Sequence, residues 1–201
     1  METALDIFHA LARIAKHPAH YLVRYFRILK YRLLSNAKNV KGKGRIYQPV
    51  LFSGSGEIII GKDVTFGVCS SPGFYSGYHH IEARSPNSLI VISDHCWINN
   101  NCTIISDGGG IRIGPHTLFG TDVEIYDSDF HELTPEKRIG GKPRVAPINI
   151  GQNVFIGSHV RIMKGVDIGD NSVIANSSVI VSSIPANVVA AGNPGRVIKS
   201  L

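Results

Sequence analysis

Residues 148–180 read INIGQNVFIGSHVRIMKGVDIGDNSVIANSSVI, and isoleucine stands at 150, 156, 162, 168, 174 and 180. A spacing of six fits neither the 3.6-residue turn of a helix nor the two-residue alternation of a strand. It is the period of a β-helix in which one short strand and one turn consume six residues. Valine recurs four residues after three of these isoleucines, at Val154, Val160 and Val166, and glycine follows at Gly151, Gly157 and Gly169. Three hexapeptides make one triangular coil, so residues 18 apart should stack: Ile150 on Ile168, Ile156 on Ile174, Ile162 on Ile180. Glycine is expected to supply the backbone angles of the corners.

The same period runs upstream in pieces: Ile60-Gly61 with Phe66-Gly67, then Ile92, Ile98 and Ile104, then Ile113-Gly114, Phe119-Gly120 and Ile125. Its phase slips between pieces, which predicts inserted loops near 70–88 and 126–147. The fold expected is mainly β: a parallel β-helix over 45–201 preceded by a basic helical arm at 1–44. Such coils bury their apolar faces only against neighbouring coils.

The arm is chemically distinct. Residues 1–45 hold ten Lys/Arg against Glu2 and Asp6, so most of the net charge of +6 resides there. Thr3 with Asp6 resembles a capping box, and Pro18 is placed to begin a second helix. Leu22, Tyr25, Phe26, Leu29 and Leu33 share one face of that helix, with Arg24, Arg27, Lys30 and Arg32 over much of the rest. The expectation is a cap on the prism or a contact with a neighbouring subunit. The alternative is a helix lying on an anionic membrane surface. No nucleic-acid recognition motif accompanies the charge.

No apolar run approaches a membrane span and no secretory leader is evident, which points to the cytoplasm, with peripheral contact at the inner face of the membrane as a further option. Of three cysteines, Cys96 and Cys102 are six apart, at the small inward position of the repeat, and are read as reduced core residues. Neither they nor the nine histidines are spaced as a metal site, so no metal is expected.

Residues 148–199 read INIGQNVFIGSHVRIMKGVDIGDNSVIANSSVIVSSIPANVVAAGNPGRVIK. With INNNCTII at 98–105 and EIYDSDFHEL at 124–133, this stretch strongly resembles the hexapeptide-repeat O-acetyltransferases that use acetyl-CoA, nearest to those of bacterial surface-polysaccharide biosynthesis. Galactoside and maltose acetyltransferases are relatives. The resemblance implies a left-handed winding, a homotrimer with active sites between subunits, and a carbohydrate acceptor. It places the catalytic base on His131, with Asp129 (or Asp127) as the acid orienting it, and assigns acceptor contacts to Asn101 and Asp107. Ser158, with the backbone near Gly157, would stabilise the developing oxyanion. Acetyl-CoA would lie along Phe155, Gly157, Ala175 and Asn176 towards Pro194, with Arg196 and Lys199 on its phosphates and Arg161 as another basic candidate. Two departures stand out. Phe155 occupies a position where the family often has tryptophan, and Ser182-Ser183 replaces a Thr-Lys pair.

Histidine is suited to this chemistry because neutral imidazole accepts a proton near physiological pH. Tyr75, Tyr78, His79 and His80 form a second cluster, read either as loop packing or as a wall for the acceptor. The rival classes are N-acetylation of an amino sugar, a non-catalytic carbohydrate-binding trimer, a γ-class carbonic anhydrase and a nucleotidyltransferase. The last two are disfavoured by the CoA-type segment and by the lack of room for a nucleotide-binding domain.

Overall fold

The computed structural model describes residues 18–201. Helix α1 (Pro18–Leu34) leads into a left-handed triangular prism built from three sheets. The first face has six parallel strands, from Asn39–Lys41 to Asp167–Ile168. The second runs from Arg45–Ile46 to Val188–Gly192 and closes with Gly195–Ser200, which pairs antiparallel. The third runs from Val50–Gly54 to Val179–Ile180. The Thr3–Asp6 capping box lies outside the described residues.

The isoleucine period sets the register. Ile150 pairs with Ile168, Ile156 with Ile174 and Ile162 with Ile180. Each is at most 3% exposed. Burying one such side chain contributes about 1.5–3 kcal/mol, and only the adjacent coils make that burial possible. The ladder continues across the second insertion, where Ile113 pairs with Ile150.

The repeat glycines serve a purpose other than the one expected. Gly151, Gly157 and Gly169 do not have positive φ; Asn153, His159 and Asn171, two residues later, carry the left-handed turn at φ 53°, 58° and 60°. A Cβ on Gly157 would stand 2.7 Å from the Asn176 nitrogen and 2.9 Å from the Ile174 oxygen. Glycine is therefore required by the close approach of the next coil, whereas polar residues tolerate the corner conformation. Asparagine amides reinforce one edge: Asn153 donates to Asn171 at 3.0 Å, and Asn171 to Asn187 at 2.9 Å.

The boundaries also differ from expectation. Asn39–Lys41 already pairs with Glu57–Ile60, so the prism begins inside the expected arm. The insertion placed at 70–88 contains a prism strand, His79–Ala83, between Val50–Gly54 and Thr103–Ser106. Its His79 is wholly buried, with Nδ1 accepting from the Cys102 N–H at 3.3 Å. Cys96 and Cys102 are buried free thiols, and burial pushes both upward, Cys96 to about 11. Cys69 is exposed.

Helix α1 packs by the face opposite its apolar stripe. His20 bonds the Tyr75 hydroxyl at 2.6 Å, Arg24 lies over the Tyr47 ring, and Tyr31 stacks on Tyr78. Arg27 donates to the carbonyls of Phe74 and Gly77. Those loop carbonyls need donors, and a guanidinium supplies several in one plane. Leu22, Tyr25, Phe26, Leu29 and Leu33 are left exposed.

Candidate active site

His131 sits on the loop that leaves the third face after Glu124–Tyr126. The root of that loop is fixed by Asp127. Its buried carboxylate accepts from the Ser106 hydroxyl at 2.6 Å and from the N–H groups of Asp107 and Gly110 at 2.7 and 2.6 Å. A second anchor follows. Asp129 is paired with Lys164 at 2.6 Å, while its own N–H donates to the Arg144 carbonyl. Phe130 then takes φ 59°, uncommon for an aromatic residue and costing about 1–3 kcal/mol. Its ring packs edge-on against Tyr126 and lies 4.7 Å from the Arg84 guanidinium carbon.

The His131 imidazole is exposed, and Nδ1 lies 3.2 Å from the Arg138 carbonyl. A carbonyl only accepts, so Nδ1 carries the hydrogen and Nε2 presents its lone pair outward. The imidazole's hydrogen-bond partner here is that backbone carbonyl; neither Asp127 nor Asp129, the acids expected to orient it, is bonded to the ring. Lys164, Arg84 and Arg138 were not singled out from the sequence. A lysine following the inward repeat position reads as ordinary surface charge, and a carbonyl partner leaves no sequence signal.

Beside the root of this loop two arginines are paired with glutamates. Arg84 holds Glu82 through two bonds of 3.0 and 3.1 Å; that pairing, with Asp107 and Asp127 adding, keeps its guanidinium firmly charged. Arg161 is paired with Glu124 at 2.7 and 3.2 Å. Burial, helped by Glu124, pushes the Tyr126 hydroxyl up to about 12, so it stays protonated and donates to Glu124.

The other expected residues lie on a different edge. Asn101, Ser158 and Asn176 stack on the corner between the second and third faces, linked by Asp122 N–H to Asn100 O, His159 N–H to Thr121 O and Ser177 N–H to Ser158 O. Asp107, Asp129 and His131 belong to the corner between the third and first faces. The third face separates the two edges by six residues, about 15–20 Å of extended chain. One prism therefore does not bring the two groups together.

The backbone donors at these positions are occupied. Gly157 N–H donates to Ile174 O at 2.8 Å, Ser158 N–H to Asn176 Oδ1 at 2.9 Å, and Ala175 N–H to Ala190 O at 2.9 Å. These three N–H groups are thus engaged within the prism. The Ser158 hydroxyl accepts from Thr121 N–H at 3.1 Å, which leaves its own proton available. Asn101 is likewise engaged: Oδ1 accepts from Gln48 at 2.9 Å and Nδ2 donates to Asp122 at 3.1 Å.

The second face carries an exposed apolar column, Trp97, Leu118 and Phe155, in successive register. Beyond it, the hairpin of Val188–Gly192 and Gly195–Ser200 presents exposed Pro194, Arg196 and Lys199. Arg196 donates to its neighbour's carbonyl and reaches Ser182 at 3.4 Å. Among the described residues no cluster of three His, Cys, Asp or Glu is arranged to hold a metal, and no helix is long and apolar enough to cross a membrane.

The prism of hexapeptide coils has the architecture of hexapeptide-repeat acetyltransferases of known structure. The family described as bacterial transferase hexapeptide (six repeats) matches residues 147–182. YJL218W of Saccharomyces cerevisiae, assigned to the acetyltransferases, is 37% identical over 175 residues, 87% of this chain and 79% of that one. The Escherichia coli galactoside O-acetyltransferase is 44% identical over 117 residues, 58% of this chain and 57% of the relative. Among solved structures, a galactoside acetyltransferase in complex with coenzyme A is 28% identical with a TM-score of 0.56, covering 92% of this chain and 80% of that one. The chain belongs to the hexapeptide-repeat acetyltransferases.

Proposed function

We propose that this protein transfers an acetyl group from acetyl-CoA to a sugar hydroxyl of a cytoplasmic surface-polysaccharide precursor, with His131 as the general base. The observation that carries the reading is the bond between His131 Nδ1 and the Arg138 carbonyl. It holds the tautomer whose Nε2 can take a proton. In the transfer, Nε2 accepts the acceptor hydroxyl's proton as that oxygen attacks the thioester carbonyl. The carbon–sulfur bond then breaks, and the proton passes to the departing thiolate. The Ser158 hydroxyl is the available donor to the carbonyl oxygen as it gains charge.

The functional unit is a homotrimer. Two edges held apart in one prism become opposed when prisms stand side by side around a threefold axis. His131 of one subunit would then face Ser158 and Asn176 of the next, with Asp107 and Asn101 bordering the acceptor. Asn101 would exchange its present amide partners for the sugar. The Phe155 column suits the pantetheine arm, and Arg196 and Lys199 suit phosphates. The relative's bound coenzyme A supports this choice of co-substrate.

His131→Ala should lower thiol release from acetyl-CoA with sugar acceptors by about 10²–10⁴-fold while trimer mass and the co-substrate's thermal stabilisation persist. Unchanged turnover would remove His131 from the chemistry. Amino-sugar acceptors in the same assay test N-acetylation, and transfer to them alone would overturn the O-acetyl reading.

A further inference from the structure

The outward face of helix α1 has an unusual composition for a surface. Leu22, Tyr25, Phe26, Leu29 and Leu33 follow the i, i+3, i+4, i+7, i+11 pattern of one helical stripe. They are 58%, 62%, 57%, 36% and 77% exposed. The opposite side, with His20, Arg24, Arg27 and Tyr31, is the one bound to the prism. The helix is thus seated with its apolar face turned away from the only core present among the described residues.

Cations frame this stripe. Lys30 and Arg32 flank it on either side. Arg32 also lines a cleft of about 580 Å³ between the helix and the first coil, together with Ile28, Lys43, Ile46 and Phe52. Among the described residues, Lys30, Arg32, Lys38 and Lys43 have no acidic partner, whereas Lys41 and Arg45 are paired with Glu57 and Asp63. Residues 18–45 contain no Asp or Glu at all. Packing this arm on the same arm of another copy would set cation against cation. An apolar stripe bordered by unpaired lysine and arginine is instead complementary to an anionic lipid bilayer. There the stripe enters the acyl boundary and the cations meet headgroup phosphates.

We infer that the outward face of helix α1 docks the protein on anionic membrane surfaces, with the prism standing off the bilayer. This contact is independent of the chemistry proposed for His131. The test is co-sedimentation of the full chain with vesicles of phosphatidylcholine, with and without phosphatidylglycerol, at low and high salt. Partitioning should require phosphatidylglycerol and weaken as salt is raised. Leu22→Ser/Phe26→Ser/Leu33→Ser should reduce it at least about tenfold, and Lys30→Gln/Arg32→Gln by about fivefold for each cation removed. These positions are exposed, so both variants should keep the melting temperature of the parent. Absence of partitioning, or equal partitioning by the triple variant, would overturn the inference. So would a fall in oligomer mass of the triple variant by light scattering, which would assign the stripe to contact between copies.

Discussion

The Lys164 ammonium lies 2.6 Å from the Asp129 carboxylate, joining the loop that carries His131 to the coil below it. The two side chains are only 27% and 15% exposed, and the second Asp129 oxygen is buried without a partner. Lys164→Met should therefore leave a largely buried carboxylate uncompensated. A loss of about 1–3 kcal/mol is expected in urea unfolding, and turnover should fall as the loop loosens. Adding Asp129→Asn should restore most of the stability, because the unpaired charge is gone. If the double variant is as unstable as the sum of the singles, the pair is not coupled.

The buried His79 predicts an acid sensitivity unrelated to catalysis. Burial lowers its pKa from 6.5 to about 3. Well above pH 6.5 both folded and unfolded forms are neutral and the residue contributes no pH dependence. As pH falls below 6.5 the unfolded chain takes up a proton that the folded chain refuses. Stability is thus lost by about 1.4 kcal/mol per pH unit down to about pH 3. His79→Phe should flatten the stability profile between pH 6 and 4 relative to the parent, by about that slope. Parallel profiles would exclude His79 as the source.

The division of labour between glycine and its second neighbour is directly testable. Gly157→Ala should cost more than about 2 kcal/mol, since a methyl group meets the backbone of the next coil. His159→Gly, at the residue with φ 58°, should change stability by less than about 1 kcal/mol. Thermal melts of the two variants should thus differ widely. The reverse order would mean that the corner angle is what the repeat glycine supplies.

The basic residues should separate by function. Arg161→Ala breaks an ion pair with Glu124 on the third face and should leave the KM for acetyl-CoA within about twofold. Arg196→Ala removes an exposed guanidinium beside the expected phosphates and should raise that KM by about tenfold. Initial rates against co-substrate concentration decide the matter. An effect of Arg161→Ala on KM equal to that of Arg196→Ala would place the phosphates elsewhere.

The period of six was legible because the prism interior admits little besides isoleucine and valine, so composition and register coincide from Ile150 to Ile180. It failed where other residues point inward. The strand His79–Ala83 was hidden by a buried histidine at its first inward position. Helix α1 was legible as a helix, but its seating was not, because a periodic pattern identifies an apolar face and not what covers it. At the site, a histidine on a polar loop was visible. The Arg138 carbonyl and the Lys164 pair were not, since both depend on how the loop folds back after Pro135–Lys137. The two-edge separation of His131 and Ser158 follows from coil counting, but only once the length of each insertion is known.

The antiparallel return of Gly195–Ser200 along Val188–Gly192 has a consequence for solubility. A stack of parallel coils offers its last rung as a template on which another molecule's strands could be added, the geometry by which fibrils elongate. Reversing direction on the second face covers the Val188–Gly192 edge with a strand of opposite polarity carrying Arg196 and Lys199. Gly195–Ser200 is itself the outer strand of that face, and its exposed Arg196 and Lys199 make it a charged edge, which disfavours the addition of another strand.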